Sequence, residues 1–293
     1  MKITLVLQAS SALAPEIITT AQHYSPNCRI VVANTNQENF TEFNALLMSI
    51  ETELTGLISS DVLLSKNWLL PIIELFKADT QIAAIQPKIL TDAQSNKFAS
   101  VGAAGGLLDR WAYPYFRGSN FAFQETDTGQ YDTIGEIFWA SRQCMIVRTA
   151  VLKQLGGFNR QLFQQFGDID LCWRMQHAGY KIKVQPASTV YLSVPHPTQD
   201  HWHETALTLC NSLMLLARNL PKKELFTTIF IRMCFDGLYA IKLLFTKGPL
   251  YFIAVISAHF MFYKALPRVY QERKLLKPYV KTKRSQNAIA LKY

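Results

Sequence analysis

Charge is scarce in this chain and unevenly placed. Only 17% of its 293 residues are Asp, Glu, Lys or Arg, against 49% apolar. That is the reverse of a disordered composition, so a packed core is expected. Paired cysteines are also lacking. Cys28, Cys144, Cys172, Cys210 and Cys234 are odd in number, widely spaced and contain no C-x-x-C, which excludes a disulfide framework and a zinc ribbon and suits a reducing compartment. The apolar run at residues 3–7 stops at Gln8, Ser10 and Ser11, too early for the apolar stretch of a secretory signal, and reads as a first strand. No internal repeat, no G-K-[ST] loop and no G-x-G-x-x-G after that strand is present. Gln8-Ala9-Ser10-Ser11 lacks the glycines and basic residue that a nucleotidyltransferase would need there.

What positive charge exists is concentrated at one end. Residues 264–293 hold nine basic residues and one acidic, a net +8 of the chain's +9. The remaining body is nearly neutral, which argues against a nucleic-acid-binding fold. Such a tail instead suits an anionic membrane surface, at about 1 kcal/mol per charge.

Hydrophobic patterning divides the chain. Short β-rich runs at 3–7, 28–32 and 54–58 alternate with helix-periodic segments at 15–23 and 40–50. This predicts an α/β fold with a mostly parallel central sheet and helices on both faces. A helix over 66–77 and a strand over 82–86, ended by Pro87, continue the pattern. Residues 98–135 are rich in glycine and aromatics and read as a long insertion. A strand follows at 136–147, then helices capped by Gly156-Gly157 and by Gly179, with closing strands at 181–184 and 189–192. The expected organisation is one domain over 1–220, divided into halves 1–97 and 98–220, then an apolar helical segment over 221–263 and a basic tail over 264–293. The apolar segment holds Arg232, Asp236 and Lys242 in its first run, and its second has only about 16 residues between lysines, short of the roughly 20 that span a bilayer. Amphipathic helices lying on a membrane are expected, with a buried hairpin as the alternative.

Chemistry concentrates in Phe166-Gly167-Asp168-Ile169-Asp170-Leu171-Cys172-Trp173-Arg174. Two carboxylates at a helix start serve as caps, and at most one of them can face a cleft. Ser60-Asp61 follows an apolar strand, at the end where open α/β sheets bind ligands. A carboxylate there suits Mg²⁺ or Mn²⁺ bridging a diphosphate. Gly102-Ala103-Ala104-Gly105-Gly106 reads as a tight turn or a backbone anion cradle. His196, Asp200, His201 and His203 have metal-compatible types in a proline-containing loop.

Seven runs in order resemble glycosyltransferase family 2, among bacterial members that build surface polysaccharides. They are Ser60-Asp61-Val62 with Asn67-Trp68-Leu69; Ile85-Gln86-Pro87-Lys88-Ile89; Gly102-Ala103-Ala104-Gly105-Gly106; Tyr113-Pro114 with Arg117-Gly118; Ile137-Phe138-Trp139-Ala140; Gly156-Gly157-Phe158; and the Asp168 to Arg174 run. The resemblance implies a GT-A fold and inverting transfer of a sugar from a nucleotide-diphosphate donor to a glycan or lipid-linked hydroxyl. It implies Asp168 as general base, with Asp170 and Arg174 supporting it. Asp61, Ser60 and Asn34 would meet the donor, Asp61 also the metal, and Trp139, Ala140, Gly105 and Gly106 would border the acceptor. The location implied is cytoplasmic, on the inner face of the membrane.

The chain also departs from the family pattern. Ala33 replaces the aspartate expected after the second strand, Gly167 replaces an acidic neighbour of the base, and Leu192 stands where a histidine ligand belongs. His196 is the substitute ligand expected from the adjoining loop. These departures motivate an alternative: a catalytically silent domain of the same fold that binds glycan or a partner.

Overall fold

The computed structural model describes residues 1–9, 15–35, 37–91, 96–120, 123–192 and 201–280. Two compact units result, Met1–Leu107 with Pro114–His196, and Leu108–Tyr113 with Pro197–Tyr293.

The first unit begins β1 (Ile3–Ala9), α1 (Pro15–Tyr24), β2 (Arg29–Asn34), α2 (Phe40–Ser49), β3 (Leu54–Ser59) and β4 (Val62–Leu64). It continues with α3 (Leu70–Ala78), β5 (Ile82–Leu90), β6 (Gly106–Leu108), β7 (Pro114–Phe116), β8 (Ser119–Asn120) and β9 (Phe123–Gln124). The last elements are β10 (Gly135–Glu136), β11 (Cys144–Arg148), α4 (Thr149–Gln154), α5 (Gly167–His177) and β12 (Lys181–Leu192). The main sheet has the order β10-β12-β5-β11-β3-β1-β2, with β4 also on β12, and β6 to β9 form a small second sheet. β1 is parallel to β2 and β3, and β5 to β12, while β11 runs antiparallel between β3 and β5. All seven residues of β1 and all nine of β5 are buried. Strands covered on both faces lose the apolar-polar alternation, which is why they read as unbroken apolar runs. The main core gathers Leu5, Leu7, Leu54, Ile58, Trp68, Ile72, Phe76 and Ile85.

Several boundaries differ from the sequence expectation, each for a local reason. The strand expected over 136–147 is two strands, β10 and β11, joined by a buried loop at 137–143, because an apolar run reports burial and not backbone shape. α3 starts at Leu70, where Pro71 sits in the first turn, and not at Lys66. β5 does not end at Pro87. Its pairing with β11 stops at Ile85, and beyond that it pairs with β12, where Pro87 faces Gln185 and needs no second ladder. β12 is one strand, not two, with a register shift between Gln185 and Thr189 that accommodates Pro186.

In α5, Asp170 and Arg174 are buried one turn apart and joined by a 2.8 Å ion pair. Arg174 also donates to the carbonyls of Leu155 (2.8 Å) and Gly157 (2.7 Å). The pair therefore ties the helix to the turn that ends α4.

The second unit holds α6 (Trp202–Asn219), α7 (Lys222–Lys247) and α8 (Pro249–Leu276). Gly248, at φ 98°, makes the turn between the last two, and α8 packs on both α6 and α7. α8 extends past Tyr263, so the first half of the segment expected as a tail is helix. It is also long and apolar enough to cross a membrane by length and composition, unlike the short run expected. α7 is inverted relative to a soluble helix. Its buried residues are Arg232, Asp236, Ala240 and Leu243, whereas Phe226 (81% exposed), Phe230, Leu238, Ile241 and Phe245 (82%) line the outside. The buried Arg232 donates to Asp236 (3.0 Å), the Tyr113 hydroxyl (2.9 Å), the Trp111 carbonyl (2.8 Å) and the Ser212 hydroxyl (3.1 Å).

Removing one member of a fully buried ion pair strands the other charge, at about 3–5 kcal/mol. Asp170→Ala is thus expected to lower unfolding free energy by about that amount in urea titrations; a loss near that of an ordinary surface substitution would show that Arg174 finds other partners.

Candidate active site

A cleft of about 500 Å³ opens in the first unit, at the carboxyl ends of β1, β2 and β3. Gln8, Thr35, Ser59 and Ser60 come from those strand ends, and Trp139, Ser141, Arg142 and Gln143 from the loop between β10 and β11. Residues 163–169, leading into α5, close the other wall. This is where an open α/β sheet presents ligands, since the strands stop and the loops diverge.

The 137–143 loop is held from beneath by buried side chains. Gln86 accepts from the Ser141 amide (2.7 Å) and donates to the Gly102 carbonyl (2.7 Å). Gln176 donates to the Phe138 carbonyl (2.7 Å), and the Ala140 amide points at the Cys172 sulfur (3.4 Å), whose thiol burial pushes up to about 12. Opposite, Phe40, Phe43, Phe158 and Phe163 pack edge to face or tilted, and Asn44 bonds both Gly156 and Phe158. Asn44 thus serves the turn that ends α4. Gly157 has φ 72°, and a side chain there would meet Asn44 at 2.1 Å.

Asp168 sits in the first turn of α5 and lines the cleft. The turn is entered through Phe166, a non-glycine residue with φ 64°. One Asp168 oxygen accepts from the Arg142 amide (3.0 Å) and the other from the amide of Ile169 (2.9 Å). Burial nevertheless pushes its carboxyl above the usual range, against the pull of those amides and the Arg142 charge.

The other expected residues divide sharply. Ser60 and Trp139 line the same cleft as Asp168. Asp61 does not: it lies in the turn between β3 and β4, and both carboxylate oxygens are buried. Asn34 is exposed at the end of β2, and its neighbour Thr35 lines the cleft instead. Ala140, Gly105 and Gly106 lie outside the lining. Gly105 and Gly106 are small because Ile137 and the Trp139 ring leave no room for a side chain, at 2.5 and 2.2 Å. Asp170 and Arg174 pair beneath the helix, away from the lining. His196 lies outside the described residues. Arg142, Gln143, Gln8 and Gln164 escaped the sequence reading. The only signal for Arg142 was a lone cation between Ala140 and the apolar strand β11.

Among the described residues a metal finds a poor donor set here. β4 pairs with β12 so that Val62, next to Asp61, faces Leu192. No group of three His, Cys, Asp or Glu that could hold a metal forms among the described residues.

Residues 2–218 match the family described as glycosyltransferase-like family 2. The chain belongs to that family. α7 and α8 lie beyond the matched span. The pre-mycofactocin glycosyltransferases of two Mycobacterium tuberculosis strains, CDC 1551 / Oshkosh and H37Rv, are each 24% identical over 148 residues, half of this chain but 28% of theirs. In fold, the chain is similar to GalNAc-T7 crystallised with UDP, GalNAc and Mn²⁺, with a TM-score of 0.54 at 11% identity, covering 96% of this chain and 58% of that one. It is also similar to S. aureus TarS 1–349 in complex with UDP, with a TM-score of 0.53 at 14% identity, covering 95% and 87%. The architecture is the GT-A fold.

A carboxyl raised by folding binds its proton more tightly in the folded chain than in the unfolded one. Ionising Asp168 therefore subtracts stability as pH climbs from about 4, its unfolded value, through the raised folded value. The stability of wild type relative to Asp168→Asn is expected to fall over that window, measured as denaturation midpoints in a pH series. Parallel curves for the two proteins would show that Asp168 titrates normally.

Proposed function

We propose that this chain is a glycosyltransferase that moves a sugar, with inversion, from a nucleotide-diphosphate sugar to a hydroxyl of a glycan or lipid-linked acceptor, in surface polysaccharide synthesis. The reading rests on one observation above all: Asp168 faces a cleft at the strand ends with its carboxyl raised by burial. Two backbone amides fix its orientation. A hydroxyl attacks an anomeric carbon well only when a base takes its proton in line, and a raised carboxylate is a stronger base than a solvated one. In the step, the acceptor oxygen bonds to the anomeric carbon as its proton passes to Asp168. The bond from that carbon to the diphosphate breaks, and its electron pair leaves on phosphate oxygen. Trp139 and Phe116, tilted against each other at 4.9 Å, form part of the apolar lining. Among the described residues, Asp61 is the expected carboxylate for Mg²⁺ or Mn²⁺, and both its oxygens are buried.

Asp168→Asn is expected to lower kcat by about 10²–10⁴ while leaving donor affinity within twofold, read by sugar-transfer kinetics and calorimetry. Undiminished turnover would remove Asp168 from the role. The buried Asp61 oxygens favour a second reading, a silent domain that binds glycan. Wild-type protein that binds glycans but no sugar nucleotide would establish it.

The helical unit supports contact with the cytoplasmic face of a membrane. Phe226, Phe230, Leu238, Ile241 and Phe245 follow helical spacing along the exterior of α7, and Leu250, Ile253, Ile256, Phe260 and Tyr263 do so on α8. Exposed Lys222, Lys223, Lys242, Lys247, Lys264 and Arg268 accompany them. An apolar face of this extent with basic residues beside it suits anionic lipid. Flotation with phosphatidylglycerol vesicles is expected to carry the protein at low salt, with Phe226→Ser plus Phe230→Ser weakening binding about tenfold or more. Retention through high salt and alkaline carbonate would mark α8 as spanning, and no flotation at all would refute the contact.

A further inference from the structure

A departing nucleoside diphosphate carries at least two negative charges, and the described residues lining the cleft offer a single cation to meet them. That cation is Arg142; the other charged lining residue is Asp168. Arg142 stands in a loop whose backbone is pinned on both sides of its side chain, its amide donating to Asp168 and its carbonyl accepting from Gln8 (3.0 Å), with Gln86 holding Ser141 before it. Its guanidinium lies over the Phe163 ring, 4.5 Å from the centroid, and Nη1 donates to the Phe163 carbonyl (3.0 Å). The aromatic stack and that one bond hold the plane of the fork while leaving Nε and Nη2 without a protein partner among the described residues. A half-buried guanidinium that keeps unspent donors and faces a cleft beside the Asp168 carboxylate is free to receive a further anion.

We propose that Arg142 is the diphosphate-binding residue of this cleft, supplying through its guanidinium the positive charge for the leaving group. The inference rests on the donor reading above and goes beyond it by naming the group that receives the diphosphate. It agrees with the lack of a metal site at the acidic turn among the described residues: both Asp61 oxygens are buried, the adjoining Val62 faces Leu192, and the cation stands on a different loop. A guanidinium suits the task, because its planar fork donates two parallel bonds to phosphate oxygens and stays charged when desolvated. The arrangement also links the two halves of the reaction through one residue. The backbone of Arg142 orients the base, and its side chain holds the leaving group, so acceptor activation and departure of the diphosphate share one rigid support.

The test is calorimetric binding of a panel of nucleoside diphosphates (UDP, GDP, ADP, CDP, dTDP) and the matching nucleosides to the full chain, in EDTA. Wild type is expected to bind at least one diphosphate without added metal, more weakly as salt rises. Arg142→Gln is expected to weaken that diphosphate about tenfold or more, equivalent to about 1.4 kcal/mol, while binding the nucleoside as wild type does. Arg142→Lys, which keeps the charge but loses the fork, should fall between them and covers the case in which the glutamine variant fails to fold. Equal diphosphate affinity in Arg142→Gln overturns the proposal. So does a parallel loss of nucleoside affinity, which would make Arg142 a clamp for the Phe163 segment. Diphosphate binding that appears only with Mn²⁺ and survives Arg142→Gln returns the role to a metal. Wild type that binds no member of the panel, with or without Mn²⁺, defeats the donor reading itself.

Discussion

The amide of Gln86 is the constraint on which the candidate site depends. It is fully buried in β5, and its two ends bond in opposite directions, to the Gly102 carbonyl and to the Ser141 amide. A buried side-chain amide is tolerated only when its donors and acceptors are used, and here they join the glycine-rich turn to the loop that carries Trp139 and Arg142. Gln176 and Cys172 hold the preceding residues, and Asp168 holds the next one. The loop is thus irregular in backbone yet supported at almost every residue, as a group meant to keep one geometry must be.

That support explains which expected residues face the cleft. Gly105 and Gly106 leave space for Ile137 and Trp139, so their role is to let the loop lie close to the second sheet. Asp170 and Arg174 secure α5 from below, through carbonyls at the end of α4. Asp168, two residues from Asp170, points elsewhere because successive positions on a helix diverge by about 100°. One short acidic motif therefore holds a chemical group and a structural one, and their spacing alone assigns neither.

The helical unit shows the opposite polarity. In the first unit apolar side chains fill the core, whereas α7 buries Arg232 and Asp236 and turns phenylalanines outward. The buried pair is tolerated because Tyr113, Trp111 and Ser212 accept further bonds from the guanidinium. The composition of the segment disclosed apolar helices with three charges among them. Which face the charges took was not legible, since an amphipathic pattern states that two faces differ and not which one meets solvent.

By itself the sequence determined the alternation of strands and helices, the glycine stops of α4 and α5, the family resemblance, and the placement of Asp168 at a helix start. Those features are written in local periodicity, in turn chemistry and in short motifs that act over a few residues. Tertiary structure alone decided that residues 137–143 form a loop, that Asp61 turns inward while Ser60 faces the cleft, and that Arg142 is the cation of the lining. Each of these depends on partners far away in the chain, Gln86 for the loop, β12 for the turn at Asp61 and Phe163 for Arg142, and long-range packing leaves no periodic trace in any single segment.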